Sequence, residues 1–431
     1  GLADIFFGGC MESSRLYLNQ GDFKFKDATV GAGLATNRWV TGVTVVDINS
    51  DGWQDLYLSV SGIGSPEKLK NLLFINNGIG EGNSQISFTE SAELYGVADT
   101  SPSTHANFFD YDKDGDLDLF VIENPPEYRL EKVNDIRPKK VKGEAISTDK
   151  LYRNNTVENK GKRKVSPLDS AQTEAFPLFT DVSSEAGILI EGYSLSLNVS
   201  DLNNDNWPDI YITNDFLSND IAYINNQDGT FTNRAAELFK HTSYASMGID
   251  VADINNDGLP EIYVLDMLPE ENYRRKMIVT AGNYDRFQRT IDKGYEPSYT
   301  RNTLQLNNGN GTFSEVGQQF NVHKTGWSWS ALLADYDNDG FRDLYITNGF
   351  KRDLGNLDYV NYADWNPFGT AESKRERRLA LINEQPEAAL FNYVYQNQKG
   401  EGFAKKSKEW GIDERSVSSG AAFADLDLDG D

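Results

Sequence analysis

The stretch Asp110-Tyr111-Asp112-Lys113-Asp114-Gly115-Asp116-Leu117-Asp118-Leu119-Phe120 decides the reading of this chain. Carboxylates stand at its first, third and fifth places, a glycine at the sixth, and another carboxylate at the ninth, where a β-rich run begins. The pattern D-x-[DN]-x-D-[GN]-x-x-[DE] recurs as Asp47, Asn49, Asp51 and Asp55, and as Asp201, Asn203, Asp205 and Asp209. It recurs again as Asp253, Asn255, Asp257 and Glu261, and as Asp335, Asp337, Asp339 and Asp343. A sixth copy, Asp425, Asp427 and Asp429, reaches Asp431 without a ninth-place carboxylate. Gly1-Leu2-Ala3-Asp4-Ile5-Phe6 aligns with Gly52-Trp53-Gln54-Asp55-Leu56-Tyr57. The expectation is a fragment of a longer protein, beginning inside one loop and ending inside another.

The spacing has a chemical reason. A hard cation such as calcium takes about six to eight oxygen ligands. Side chains at places one, three and five converge on one ion when the backbone curls around it. The residue at place six must then adopt a left-handed turn, which glycine does freely and asparagine next best. Five copies have glycine there and the Asp201 copy has Asn206. Place seven would add a backbone carbonyl and place nine a last carboxylate. An EF-hand closes with a glutamate six residues after its glycine; here the carboxylate comes three after it, so this is a different loop. Asp, Asn and Gly also make ordinary turns, but six copies in phase with the same flanks point to cations. The formal charge is −25 over 431 residues, and the carboxylates gathered in these loops nearly match it.

Each loop lies between two strand-like runs, such as Gly42–Val46 before the first copy and Asp55–Leu58 after it. A third run ends in turn residues, as in Leu73-Phe74-Ile75-Asn76-Asn77-Gly78, and a fourth is short, as in Phe313-Ser314-Glu315. The Asn-Gly pairs mark hairpins. Four antiparallel strands per repeat with few helices predict an all-β fold, a β-propeller of four-stranded blades. Loop starts are separated by 63, 91, 52, 82 and 90 residues, so the shortest repeat is near a bare blade and the others carry insertions. A single propeller domain over 1–431 is expected, with insertions at about 125–149, 156–178, 268–301 and 350–388. A helix is expected from Ala371 to Asn383. Gly430 repeats the role of Gly1, which favours a seven-bladed parent over a six-bladed ring.

The repeats resemble the FG-GAP/VCBS family of calcium-loop propellers, which includes the integrin α-subunit head. Phe179-Thr180-Asp181-Val182 with Glu185-Ala186-Gly187-Ile188, and Gly311-Thr312-Phe313-Ser314, resemble the subgroup of cartilage acidic protein and the ASPIC/UnbV proteins. The resemblance implies a calcium-stabilised propeller, an extracellular, cell-surface or envelope setting, and further domains in the parent chain. It brings no catalytic residues.

Strand alternation places the cation loops at one end of the blades and the insertions at 125–149, 268–301 and 350–388 at the other. The insertion 156–178, with Lys162-Arg163-Lys164, falls on the cation side. Insertion 268–301 carries Arg274-Arg275-Lys276 among Tyr273, Tyr284, Phe287, Tyr295 and Tyr299, and 350–388 carries Tyr359, Tyr362, Trp365 and Phe368. Long loops on a rigid scaffold concentrate function. This face is therefore expected to bind a protein or carbohydrate ligand; the alternative is that the aromatics form a small core of their own. His105, His241 and His323 are read as preceding inner strands. Thr44, Asn107, Asn198 and Asp250, three residues before their loops, are read as bonding between blades rather than lining a channel.

Net acidity argues against nucleic acid as partner. No run approaches the ~18–20 apolar residues of a membrane span, so direct membrane insertion is not expected. A single cysteine, Cys10, allows no disulfide within the chain, and three histidines make no His-rich metal site. Neither a G-x-S-x-G nor an H-E-x-x-H motif is present. The expected function is non-enzymatic recognition or adhesion by a calcium-stabilised propeller. One rival is a polysaccharide lyase or hydrolase using Asp250, His241, Arg274 or Asp285; another is a purely structural scaffold.

Overall fold

A computed structural model describes residues 1–10, 12–62, 64–79, 85–125, 136–156, 178–278, 284–363, 370–385 and 387–430. The chain is all-β, built of antiparallel blades of β-propeller type. It divides into two compact units, Gly1–Arg234 with Ala424–Asp431, and Ala235–Phe423.

The first unit opens with a three-stranded sheet, Ile5–Phe7, Arg15–Asn19 and Phe25–Asp27. Three four-stranded meanders follow. The first runs through Trp39–Val46, Asp55–Ser61, Leu72–Asn76 and Phe88–Glu90. The second uses Ser103–Phe109, Asp118–Glu123, Lys150–Asn154 and Phe179–Asp181. The third uses Ser194–Ser200, Asp209–Asn214, Ile221–Asn225 and Phe231–Asn233. The second unit holds two more: Ile249–Ala252, Glu261–Val264, Thr303–Asn307 and Phe313–Glu315, then Ser328–Ala334, Asp343–Asn348, Tyr393–Asn397 and Phe403–Lys405.

The second strand of every four-stranded sheet is buried along nearly its whole length, as in Asp55–Ser61 and Asp118–Glu123. Such strands are sandwiched on both faces and read as continuous apolar runs. In the first unit the core lies between neighbouring sheets. Phe120, Ile122 and Leu151 of one pack with Ile210, Ile212 and Tyr223 of the next. Tyr57 and Leu73 likewise pack with Leu119 and Val121. Each fully buried Leu, Ile or Phe contributes about 1.5–3 kcal/mol by leaving water.

Inner strands touch directly. Thr44 Oγ1 donates to Ala106 O at 2.7 Å, and Leu333 N donates to Asp250 Oδ2 at 2.7 Å. Both are bonds between neighbouring blades, as read from the sequence. A Cβ on Gly42 would come within 2.5 Å of Thr104 O, so only glycine permits that approach. His105 departs from expectation: it lies inside the inner strand Ser103–Phe109, and burial lowers its pKa. The extra length at 125–149, 268–301 and 350–388 falls between second and third strands. Of the fourth, 157–177 lies outside the described residues, with Lys162-Arg163-Lys164. A helix spans Ala371–Glu384, capped by Thr370, whose Oγ1 accepts from Ser373 N at 3.2 Å.

Candidate metal centres and an insertion-side cavity

Each acidic loop folds around its first aspartate. Asp51 N donates to Asp47 Oδ1 at 3.0 Å and to Asn49 Oδ1 at 3.1 Å, bringing the first- and third-place oxygens onto one N–H. Gly52 N donates to Asp47 Oδ2 at 2.9 Å, and Trp53 N to Asp51 Oδ1 at 2.8 Å. The same bonds recur around Asp201, Asn203 and Asp205, and around Asp253, Asn255 and Asp257. Around Asp335, Asp339 N and Gly340 N donate to the first aspartate and Phe341 N to Asp339. In the sixth loop, Gly430 N donates to Asp425 Oδ2 at 3.1 Å.

Carboxylate oxygens converge where all three places are aspartate. Asp110, Asp112 and Asp118 each offer an oxygen within 4.8 Å of the others. So do Asp335, Asp337 and Asp339, and Asp425, Asp427 and Asp429. Asp114 accepts Asp116 N at 3.1 Å and holds that loop's far side. This hard, all-oxygen donor set fits a divalent cation of the calcium type.

Place six is left-handed throughout, with φ of +88° at Gly52, +95° at Gly115 and +67° at Asn206. Place four is left-handed too, at Ser50, Lys113, Asn204, Asn256, Asn338 and Leu428. Sequence reading missed this second turn, because only three of the six copies have asparagine there.

The ninth-place carboxylates, Asp55, Asp118, Asp209, Glu261 and Asp343, are fully buried beneath their loops. Each ties its loop to the third strand. Asp55 Oδ2 accepts Ile48 N at 3.1 Å and its Oδ1 accepts Asn76 N at 2.7 Å; Asp209 and Asp343 repeat this with Leu202 and Asn225, and with Tyr336 and Asn397. Burial pushes Asp55 and Asp343 up to about 6, Asp209 and Glu261 to about 7 and Asp118 to about 8, against the lowering by these N–H donors. Neighbouring loop aspartates raise them further, so a bound cation would favour their ionised forms.

The third-strand asparagine also reaches the preceding loop. Asn225 Nδ2 donates to Tyr111 O at 2.8 Å, and Asn397 Nδ2 to Ile254 O at 2.8 Å. Asn19 Nδ2 does the same to Leu426 O at 2.8 Å. The Asp425 loop thus stands to the first sheet as the Asp110 loop stands to the sheet of Asn225.

A second repeated device was not read from the sequence. An Asn or Asp immediately precedes the third strand: Asn71, Asp149, Asp220, Asn302 and Asn392. Each accepts a backbone N–H within two residues of the second strand's end, such as Val60 N to Asn71 at 2.8 Å and Asp266 N to Asn302 at 2.8 Å. Most also bond the second-strand tyrosine hydroxyl, Tyr57, Tyr211, Tyr263 or Tyr345. The legible signal is a short [DN]-x-[LAV] phrase, too common to notice alone.

The candidate catalytic residues of the enzyme reading are dispersed. Asp250 is bonded to the neighbouring inner strand, while Arg274 pairs with Asp353. His241 Nε2 lies 3.6 Å from Glu315 Oε2 and 3.1 Å from Arg301 Nη2, with Tyr299 edge-on to its ring. Asp285 opens the helix Tyr284–Asp292. The insertion aromatics divide between core and surface: Tyr295 and Tyr359 are buried, while Tyr273 and Tyr284 are exposed. Trp365 and Phe368 lie outside the described residues.

In the second unit a cavity of about 540 Å³ opens where helix Asn272–Met277 meets Asp353, Asn356 and the short strand Leu390–Phe391. Arg274 Nη1 and Nη2 lie 3.1 and 3.4 Å from the two Asp353 oxygens. Glu270 Oε2 accepts both Tyr393 OH at 2.9 Å and Lys405 Nζ at 2.8 Å. These two donors hold the Glu270 carboxyl below its ordinary pKa despite its burial.

No curated protein matches the chain. Among solved structures, an Agrocybe aegerita lectin described for recognition of non-reducing terminal N-acetylglucosamine aligns at 15% identity and a TM-score of 0.42, covering 94% of this chain and 76% of that one. No helix among the described residues is long and apolar enough to cross a membrane. Residues 1–58, 201–264 and 294–346 match the model of the FG-GAP-like repeat, and these stretches hold the Asp47, Asp201, Asp253 and Asp335 loops.

Proposed function

We propose that the chain is a calcium-stabilised, non-enzymatic recognition propeller of an extracellular or cell-envelope protein, with a protein or carbohydrate ligand on its insertion side. The observation that carries this reading is the repetition of one loop geometry, with carboxylate oxygens converging at Asp110, Asp112 and Asp118, at Asp335, Asp337 and Asp339, and at Asp425, Asp427 and Asp429. The cation's chemistry there is structural: it would neutralise clustered carboxylates at the turn between first and second strands. Asp47, Asn49 and Asp51, with the corresponding residues of the other loops, would hold it, and the ninth-place carboxylates would support it from below. The long loops at the opposite blade ends are then free to carry recognition. Neither nucleic acid nor a bilayer interior is part of this reading. The Ala-Gly-Ile turn at Ala186–Ile188 supports kinship with the ASPIC/UnbV and cartilage acidic protein-like group.

Terbium luminescence sensitised by Trp53 and Trp207, which follow place six in their loops, tests the cation. Signal displaced by calcium and much less by magnesium is expected. A pull-down of envelope polysaccharide and protein in calcium, assayed for released sugar ends, tests the rest. Calcium-dependent retention without cleavage is expected; cleavage would replace this reading with the enzyme one, and no retention with the scaffold one.

A further inference from the structure

The cavity beside helix Asn272–Met277 has a composition that selects among ligand classes. Its charged lining consists of Glu270, Glu271 and Asp353 against Arg274, Lys405 and Arg415, which balance to zero in a chain of net charge −25. The cations are held in place. Arg274 pairs with Asp353, Lys405 pairs with Glu270 and lies 4.1 Å over the Tyr393 ring, and the Arg415 guanidinium lies 4.9 Å over the Phe391 ring. Two of the three cations already have a carboxylate partner, and the third, Arg415, is held by the Phe391 ring and the Ala389 carbonyl. Among the described residues the lining gathers no carboxylate cluster for a metal. An apolar ligand would strand these polar groups without partners.

Two aromatic side chains of the lining are exposed: Tyr273 at 70%, and Phe391 at 42% with one face of its ring under Arg415. The Arg274 Nε is buried and has no partner among the described residues. A volume of about 540 Å³ lies within the range of small-molecule sites.

From these features we infer that this cavity is a subsite for a neutral saccharide of one or two residues. The inference rests on the recognition reading above and names its ligand class. A sugar presents an apolar C–H face, which the exposed rings can cover. It also presents hydroxyls that donate and accept at once. Those can give to Glu270 and Asp353 and take from Arg274 and Lys405, whose geometry is already set by their own pairing.

The test uses the whole chain in calcium, with saturation-transfer NMR and calorimetry against cellobiose, maltose and lactose, and digalacturonate as the anionic comparator. At least one neutral disaccharide should bind. Tyr273→Ala, at an exposed position, should weaken it at least tenfold, and Glu270→Gln should do the same while the thermal melt stays two-state. Preference for digalacturonate, or failure of all three neutral sugars, would overturn the inference. Neutral-sugar binding untouched by both substitutions would overturn it while leaving the recognition reading intact. Loss of retention in the envelope pull-down as well would bring down both.

Discussion

Place four of each acidic loop carries backbone strain. Left-handed backbone costs an L-residue about 1–2 kcal/mol, less for asparagine. Ser50 is exposed and adopts φ of +57°. Ser50→Asn should therefore stabilise the fold by about 0.5–1 kcal/mol, read as a higher urea midpoint at unchanged slope. Gly187 is the opposite case. Its φ is +82°, and a Cβ there would stand 2.8 Å from Phe231 O, beside the bond from Phe231 N to Ala186 O. Gly187→Ala should cost about 2–3 kcal/mol, measured in the same way.

At the scale of elements, the residue before each third strand locks the second and third strands together. Asn302 is wholly buried; its Oδ1 accepts Asp266 N, and its Nδ2 donates to Tyr263 OH, Val322 O and Thr325 Oγ1. Asn302→Ala leaves these groups unpaired and should cost about 3 kcal/mol or more. Asp149 does this work as a carboxylic acid. Its second strand has Phe120 where others have tyrosine, so its partners are Glu123 N and Ser194 Oγ. Burial pushes Asp149 up to about 7; buried Glu123, its neighbour, is raised as well, near Asp99 and Lys150. The unfolded chain titrates Asp149 near 3.8. Its contribution to stability is thus complete below that pH and is lost as pH rises through about 7. Asp149→Asn should flatten the fall in stability between about pH 4 and pH 7, the interval between the unfolded and folded values, seen by denaturant titration at both ends.

For the molecule as a whole, the acidic loops set the response to cations. Without an ion, clustered aspartates repel one another, and five buried ninth-place carboxylates are held toward their neutral forms. Chelation should lower the melting temperature substantially, calcium should restore it, and magnesium should restore it poorly because it demands a tighter octahedral shell. A melt indifferent to chelator and to calcium would refute the cation assignment.

Much of this architecture is legible in the residues themselves. The loop phrase, repeated in phase, determines the turns at Gly52, Gly115 and Asn206, the strands on either side and hence the blades, because local geometry needs those residue types at that spacing. Positions such as Thr44 and Asp250 were readable as bonds between blades for the same reason. Other features required the folded chain. The burial of Asp55, Asp118, Asp209 and Asp343, with both oxygens on backbone N–H groups, depends on third-strand residues such as Asn76, 21 positions away. The locking residues Asn71, Asn302 and Asn392 are ordinary until a tyrosine and a neighbouring strand close on them. The cavity takes Glu270 from one insertion, Asp353 from another and Lys405 from a fourth strand. Its balanced charge is a property of contacts over 135 residues of separation, which periodicity and spacing do not encode.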